Sequence, residues 1–233
     1  MIGVDEAGRG PLAGPVCAAA VVLPPDLELP LLNDSKKLTA AVRERLAEDI
    51  RSCASAWALG WASAREIDAL NILTATHLAM ARAIEALVLA GPGSERGGRA
   101  SLPQPAQTTV WVDGNRSPRT LGPCQRVASV VKGDARVAEI SAASILAKTA
   151  RDRWMLDLHQ QHEQYGFAEH KGYPTARHLA LLETFGPCSE HRRSFAPVAR
   201  VIGLRRPGTA SRTMSGTRTM SGARSDGPEK LPR

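Results

Sequence analysis

The sequence predicts an α/β fold, in which helices flank a mixed central sheet of about five strands and a helical portion follows at the C-terminal end. Short apolar runs alternate along the chain with longer segments of helical periodicity, which is the pattern of α/β layers. Glycine, proline or aspartate residues follow most of the apolar runs, as expected where strands end in turns.

Composition points to a soluble globular protein. The 233 residues are enough for one substantial domain with a tail, and 43% of them are hydrophobic. No run of about 18 consecutive apolar residues is present, which argues against a membrane span. The four cysteines form no C-x-x-C pair, so free thiols in a reducing compartment are predicted. We expect a cytoplasmic monomer that contacts no membrane.

The formal charge of +7 lies mostly in the C-terminal tail, because eight basic and only two acidic residues occur from Arg200 onward. The tail also repeats Arg-Thr-Met-Ser-Gly at 212–216 and 218–222, and it has no apolar face to bury. These features predict a folded domain at 1–203 and a disordered basic tail at 204–233. One alternative function is therefore non-specific RNA or DNA binding by the tail alone.

The first half of the chain predicts three strands and three helices. A turn at Gly14 and Pro15 joins the first two strands, so we expect them to pair antiparallel. Thr39 and Ser63 are predicted helix N-caps, and Glu66 completes a capping box with Ser63. The predicted strands are the run before Asp5, residues 16–23 and residues 54–62. The predicted helices are one from Thr39 with Val42, Leu46 and Ile50 on its apolar face, one ending at Leu70, and one at 74–89 with Leu78, Ala81, Ile84, Ala86 and Leu87 near one face.

In the second half, residues 91–107 are rich in Gly, Pro, Ser and Arg, which predicts a flexible insertion. Strands are predicted at 108–112 and at 127–131, each ending in a polar turn. A long helix is predicted from Arg136 towards Gln160, and small residues in its first half allow close packing on the sheet. A shorter helix is predicted at 175–185, where Gly186 and Pro187 stop it.

Four acidic residues stand at the ends of predicted strands, where α/β folds build their sites. They are Asp5, Glu6, Asp113 and Asp134. Neighbouring side chains of a strand point to opposite faces, so Asp5 and Glu6 share a site only if the chain turns between or just after them. Gly8 and Gly10 permit that turn. Converging carboxylates repel one another, and two divalent ions, magnesium or manganese, would relieve the repulsion and form a phosphoryl-transfer site. Taken singly, each acidic dipeptide is also typical of an ordinary turn.

Two other kinds of site are not predicted. No serine stands in a nucleophile elbow, so a Ser-His-Asp hydrolase is not indicated. The late histidines and the nearby cysteine lack the spacing of a structural zinc site. These residues are His159, His162, His170, His178, His191 and Cys188.

Seven blocks of the sequence occur in the order found in one known family, from residue 1 to about 199. They are DEAGRGPLAGPV at 5–16, NDSKKL at 33–38, VDGN at 112–115, VKGD at 131–134, AEISAASILAK at 138–148, KGYPT at 171–175 and HRRSF at 191–195. These blocks resemble the type 2 ribonucleases H, specifically bacterial ribonuclease HII. The resemblance implies an RNase H-like fold. It also implies an endonuclease that cleaves RNA in RNA–DNA hybrids, or single ribonucleotides in duplex DNA, with Mn²⁺ or Mg²⁺ in a two-metal site.

The resemblance also implies roles for individual residues. The four acidic residues Asp5, Glu6, Asp113 and Asp134 correspond to the catalytic, metal-binding carboxylates. The backbone of Gly8, Arg9 and Gly10 corresponds to the element that touches the 2′-hydroxyl, and Tyr173 to the aromatic residue on the sugar. Lys36, Lys37 and Lys148 lie in family blocks and are interpreted as phosphate contacts. Solvated surface lysine is the alternative for each of them, and both interpretations stay open for Lys132.

The chain departs from the family pattern at its beginning, because only four residues precede Asp5. A terminal strand this short is expected to fray and to loosen two metal ligands. The alternative function is therefore a catalytically weakened protein that binds hybrids.

Overall fold

A computed structural model describes residues 1–25, 27, 38–89, 108–115, 121, 123–124 and 126–204. The strands are β1 Ile2–Ala7, β2 Val16–Val22, β3 Ala56–Ala62, β4 Thr109–Asp113 and β5 Arg126–Val130. The helices are α1 Ala40–Cys53, α2 Ala64–Leu70, α3 Ile72–Leu89, α4 Ala138–Gln161, α5 Phe167–His170, α6 Ala176–Phe185 and α7 Ala196–Leu204. The predicted insertion, the loop that carries Lys36 and Lys37, and the tail beyond Leu204 lie outside the described residues.

The five strands form one mixed sheet in the order β3-β2-β1-β4-β5, which confirms the predicted fold class. β1 pairs antiparallel with β2 and parallel with β4, and β4 pairs parallel with β5. The first strand therefore lies at the centre of the sheet and is hydrogen-bonded on both sides, with pairing that begins at Ile2. This pairing on both sides argues against the expected fraying, which stays a prediction, because the strand is not an edge of the sheet.

Helices cover both faces of the sheet. Because side chains alternate along a strand, Val4 packs towards α3 while Ala7 packs towards α1 and α4. α4 lies directly against β1 at Gly3, where an added Cβ would come within 2.3 Å of the Glu139 carbonyl carbon. This contact sets the spacing between the strand that holds Asp5 and the helix above it.

α3 is the one described helix long and apolar enough, by length and composition alone, to cross a membrane. It packs on the sheet, and the residues that it buries are Ala75, Thr76, Ala79, Met80, Ala83, Ile84 and Leu87. The prediction placed its face differently, since Ala86 is exposed and Leu78 and Ala81 are only half-buried. The helix also begins two residues before the predicted start at Thr74, because the Asn71 side chain accepts hydrogen bonds from the N–H groups of Leu73 and Thr74.

The two predicted N-caps of the first half are confirmed. The Thr39 hydroxyl accepts from the N–H of Val42 at the start of α1, and Ser63 forms a reciprocal capping box with Glu66. Leu46 and Ile50 are buried as predicted, whereas Val42 is 37% exposed because it lies in the first turn of α1, away from the sheet.

The C-terminal portion is helical, as predicted, and Thr175 caps α6 through the N–H of His178. Two of its helices were not placed by the sequence. α5 is a single turn, and α7 is a nine-residue helix whose Val198 and Val201 pack with Leu182 of α6. α7 ends at Leu204, one residue beyond the predicted domain boundary.

Candidate active site

The parallel pairing of β1 and β4 brings two of the predicted carboxylates together. Val4 lies opposite Val112, and continuing this register by one residue sets Asp5 beside Asp113 at the carboxyl ends of the two strands. Asp5 is 6% exposed. Its Oδ1 accepts a hydrogen bond from the Glu6 N–H at 2.7 Å, and its carboxylate is also hydrogen-bonded to the Ser144 side chain on α4.

Glu6 remains in β1, and the chain turns just after the strand, at Gly8, whose φ is +100°. This places Glu6 near the carboxyl end of the strand. The Arg9 guanidinium donates to Glu6 Oε1 at 3.1 Å, so the carboxylate already has one cationic partner. The turn predicted from the two glycines is confirmed at the first of them.

Burial and nearby negative charge oppose the ionisation of Asp5 and Glu6. Burial raises the pKa of Asp5 well above its ordinary value, and the charges of Glu6 and Asp113 raise it further. Burial also raises the pKa of Glu6, and Asp113 adds to this, whereas the hydrogen bond and charge of Arg9 lower it. Mutual repulsion of buried carboxylates has no stabilising role in the fold, and a divalent cation among them would relieve it.

Asp134 is linked to these carboxylates through the backbone of its neighbour Gly133. The N–H of Gly133 donates to Asp113 Oδ1 at 2.7 Å, and Asp134 is the next residue, 8% exposed, in a short 3₁₀ turn after β5. Within the described ranges, no three or more His, Cys, Asp or Glu side chains are already arranged around a metal position. Glu6 accepts a hydrogen bond from Arg9, and Asp113 accepts one from Gly133. Both carboxylates would give up these hydrogen bonds in order to coordinate a cation. The oxygen donors suit magnesium or manganese.

A cleft of about 380 Å³ opens beside the carboxylates. It brings together most of the remaining site residues predicted from the sequence, which are Gly8, Arg9, Gly10, Lys148 and Tyr173. Glu6 and Ser144 also line it. A second cleft of about 180 Å³ shares Glu6 and Arg9 with the first and extends past Asp113 towards His77 of α3. The carboxylate group therefore lies where two clefts meet.

The wall of the larger cleft contains a basic cluster that the sequence only partly revealed. Lys148 donates to Asp152 Oδ1 at 2.6 Å, and its Nζ lies 5.9 Å from the centre of the Tyr173 ring. Arg43 lies 3.7 Å from the other Asp152 oxygen and lines the same cleft. Arg43 was missed because a single arginine in the first turn of a helix is more often a solvated surface residue.

Two buried arginines hold the loop that follows β1. Arg192 donates to the carbonyl oxygens of Gly8 at 2.6 Å, Arg9 at 3.0 Å and Gly14 at 2.9 Å. Burial, and then repulsion from Arg151, lowers the pKa of Arg192 to about 9, so its guanidinium remains charged at neutral pH. These buried charges bond to backbone carbonyls, which fixes the shape of the loop.

Arg151 holds the other part of the same loop. It donates to the carbonyl oxygens of Pro15 at 3.0 Å, Ala13 at 3.1 Å and Lys171 at 3.1 Å. Lys171 lies two residues before Tyr173, so Arg151 ties the glycine loop to the turn that presents the tyrosine ring.

Two of the late histidines, His178 and His191, form a hydrogen-bonded chain that starts at the Tyr173 carbonyl oxygen. His178 Nδ1 lies 2.9 Å from the Tyr173 carbonyl oxygen and must donate to it, which leaves His178 Nε2 to accept from His191 Nε2 at 3.2 Å. His191 Nδ1 then accepts from the Cys188 N–H at 3.1 Å. One arrangement of protons satisfies every bond, and both imidazoles are neutral in it.

The hydrogen-bonded histidines His178 and His191 predict that the protein loses stability in acid. Burial lowers the pKa of His178 to about 4 and that of His191 to about 3. Both values lie below the value of about 6.5 in an unfolded chain, so the unfolded state binds more protons between pH 6.5 and 4. We expect the free energy of unfolding to fall through this window by about 1.4 kcal/mol per pH unit for each histidine.

Urea denaturation at pH 7.5, 6 and 5 measures this dependence. His178→Gln should reduce the slope even if stability at pH 7.5 drops, because the contribution of one of the two histidines is removed. A His178→Gln protein with the full wild-type slope would contradict the assignment.

The comparisons with known proteins agree with this site. The sequence model of ribonuclease HII matches residues 2–94 and 100–198. The chain belongs to the ribonuclease HII family. A ribonuclease HII of Dechloromonas aromatica is 54% identical over 202 residues, which cover 87% of this chain and 93% of that protein. One from Bordetella pertussis is 55% identical over 196 residues, covering 84% and 88% of the two chains. This family membership makes the chain an endonucleolytic hydrolase.

Solved structures share the ribonuclease HII fold. The crystal structure of ribonuclease H2 from Pyrococcus horikoshii matches with a TM-score of 0.64 and 26% identity, over 87% of this chain and 97% of that one. A ribonuclease HIII crystallised in complex with Mn²⁺ matches with a TM-score of 0.63 and 18% identity, over 87% of this chain and 69% of that one. At 18% identity the likeness concerns the fold alone.

Proposed function

We propose that this ribonuclease HII family member cleaves RNA strands in RNA–DNA hybrids and single ribonucleotides within duplex DNA. The proposed products carry a 3′-hydroxyl and a 5′-phosphate. The observation that supports this most directly is one cleft in which Glu6, backed by Asp5 and Asp113, faces the Gly8–Gly10 loop and Tyr173. We further propose that the protein works as a cytoplasmic monomer, consistent with four cysteines that are all free thiols.

The proposed metal ligands are Asp5, Glu6, Asp113 and Asp134. Bound Mg²⁺ or Mn²⁺ would supply an activated water and charge stabilisation for the departing 3′-oxygen. The protein's own part is to hold these groups in place. Ser144 fixes the Asp5 carboxylate, Gly133 fixes Asp113, and Arg9 keeps Glu6 at the mouth of the cleft.

The remaining residues of the cleft would position the substrate. The Gly8–Gly10 turn, which is exposed at Arg9 and Gly10, would contact the 2′-hydroxyl, the group that distinguishes RNA from DNA. The Tyr173 ring is 41% exposed and offers a flat face to a sugar, while Lys148 beside it would meet a phosphate. None of these contacts reads a base, so we propose cleavage without sequence preference.

A cleavage assay on labelled duplexes tests the proposal. One duplex contains a single ribonucleotide, one is a continuous RNA–DNA hybrid and one is all DNA, each with Mg²⁺ or Mn²⁺. The proposal requires nicking 5′ of the ribonucleotide, with a 3′-hydroxyl left behind, and no nicking of the all-DNA duplex. Binding without nicking in either metal would overturn it.

Arg43 and Lys148 are predicted to contact phosphates. Arg43→Ala and Lys148→Ala should each weaken binding to every duplex by a similar factor, and each should reduce the slope of log affinity against log salt by about 0.9. Fluorescence anisotropy from 50 to 300 mM salt measures the slope. Arg153→Ala is the matched control, because this arginine lies on α4 but pairs with Glu44 outside the cleft. An unchanged slope in both cleft variants would exclude the phosphate contacts.

A further inference from the structure

Arg192 is positioned to control which backbone atoms face the cleft. Its side chain is fully buried, and it does not line the cleft. Its guanidinium draws the carbonyl oxygens of Gly8 and Arg9 inward, at 2.6 and 3.0 Å. Two successive peptide groups of the turn therefore have their acceptor ends turned towards the protein interior.

The orientation of these two carbonyls fixes the orientation of two N–H groups. In a trans peptide the C=O of one residue and the N–H of the next point in opposite directions, and the described chain has no cis peptide bond. The N–H groups of Arg9 and Gly10 thus point away from Arg192, towards the cleft that these residues line. Among the described residues, neither N–H donates a hydrogen bond to a backbone carbonyl.

We propose that Arg192 is a positioning residue that presents the N–H groups of Arg9 and Gly10, as a pair of donors, to the 2′-oxygen of a ribose. This inference rests on the proposed function and assigns its chemistry: the 2′-hydroxyl is read as a hydrogen-bond acceptor. A deoxyribose offers no acceptor at this place, so the two donors stay unpaired and DNA is disfavoured.

Contacts other than those of the Arg192 side chain support the fold around this turn. The backbone of Arg192 is anchored independently of its side chain, since its N–H donates to the Leu12 carbonyl at 2.8 Å and Ala13 pairs with His191 in an antiparallel bridge. Arg151 holds residues 13 and 15 of the loop. The Arg192 side chain bonds the carbonyls of Gly8, Arg9 and Gly14, and the first two belong to the peptide groups that carry the donor pair.

The variant Arg192→Lys tests the proposal, because a single ammonium group cannot hold the planar fork of an arginine on two successive carbonyls. Affinity is measured without divalent metal for a duplex with one ribonucleotide and for the same duplex with 2′-deoxyribose. We expect affinity for the DNA duplex to stay within about twofold and the preference for the ribonucleotide to fall at least about tenfold. Arg193→Met is the matched control, since the side chain of this neighbouring residue is exposed, and its preference should equal that of the wild type.

A second measurement uses the wild-type chain and does not depend on how a variant folds. In ¹⁵N-labelled protein without divalent metal, the amide resonances of Arg9 and Gly10 should shift more with the ribonucleotide duplex than with its 2′-deoxy counterpart. A folded Arg192→Lys protein with full preference, or equal shifts with both duplexes, would overturn the proposal. A wild-type protein that neither prefers nor cleaves the ribonucleotide duplex would instead overturn the proposed function.

Discussion

Replacing Asp113 by asparagine is expected to abolish cleavage while leaving the fold intact. The asparagine Oδ1 can still accept the hydrogen bond that Gly133 now donates to Asp113, so the end of β4 keeps its link to the turn after β5. The lost charge removes one ligand of the proposed metal site. Metal stabilisation of a transition state amounts to several kcal/mol, so we expect the rate to fall by at least about 10³-fold.

Metal binding gives this prediction a readout besides activity. Asp113 is one of the charges that raise the pKa of Asp5, so its neutralisation relieves repulsion in the metal-free protein. The melting temperature of Asp113→Asn in EDTA should equal or exceed that of the wild type, and the rise in melting temperature on adding Mn²⁺ should be smaller. Asp157→Asn, an exposed carboxylate on α4, is the control and should match the wild type in all three measurements. Cleavage retained by Asp113→Asn would remove this residue from the metal site.

The sheet and its acidic residues were predictable because both depend on local sequence. The runs that became β1, β2, β4 and β5 are apolar, and each meets a turn residue within a few positions. Loops at the carboxyl ends of parallel strands share one edge, so Asp5 and Asp113 were expected to meet and do. The grouping of Asp134 with them remains a prediction, supported by the contact of its neighbour Gly133 with Asp113.

The support of the loop was not predictable from local sequence. Arg192 reaches Gly8 across 184 positions and Arg151 reaches Pro15 across 136, and no periodicity links residues so far apart. Both arginines also look like surface residues, since an arginine is rarely buried without an acidic partner. The resemblance placed Arg192 within a family block, but only the structure shows that its role is to bind backbone carbonyls.

The sequence indicated that Ser144 is small enough for close packing on the sheet, but it did not indicate that the serine hydroxyl bonds to Asp5. In the run of small residues that opens α4, a serine is as suitable as an alanine for close packing on the sheet. The hydrogen bond to Asp5 depends on the distance between α4 and β1, which Gly3 sets through its contact with Glu139. Chemistry of this kind depends on tertiary spacing, and the sequence of the helix alone does not contain it.

The two glycines of the turn after β1 are expected to respond differently to alanine, although the sequence suggested one role for both. Gly8 is buried with a φ of +100°, and an added Cβ would lie 2.0 Å from Arg151 Nε. Arg151 cannot withdraw, because three carbonyls hold its guanidinium. Gly8→Ala therefore combines a left-handed backbone with overpacking, and we expect it to lower the free energy of unfolding by roughly 2–4 kcal/mol.

Gly10 is exposed, and an added Cβ would lie 3.5 Å from Tyr173 Cε1, an ordinary contact distance. Gly10→Ala should keep the stability of the wild type to within about 0.5 kcal/mol. Its methyl group would nevertheless occupy the cleft between the N–H donors and the tyrosine ring, so cleavage should fall by about tenfold or more. Urea denaturation and the nicking assay, run on both variants, separate the two effects. If Gly10→Ala lost stability, or if Gly8→Ala lost none, the distinction between a glycine that shapes the turn and one that leaves room for the sugar would be wrong.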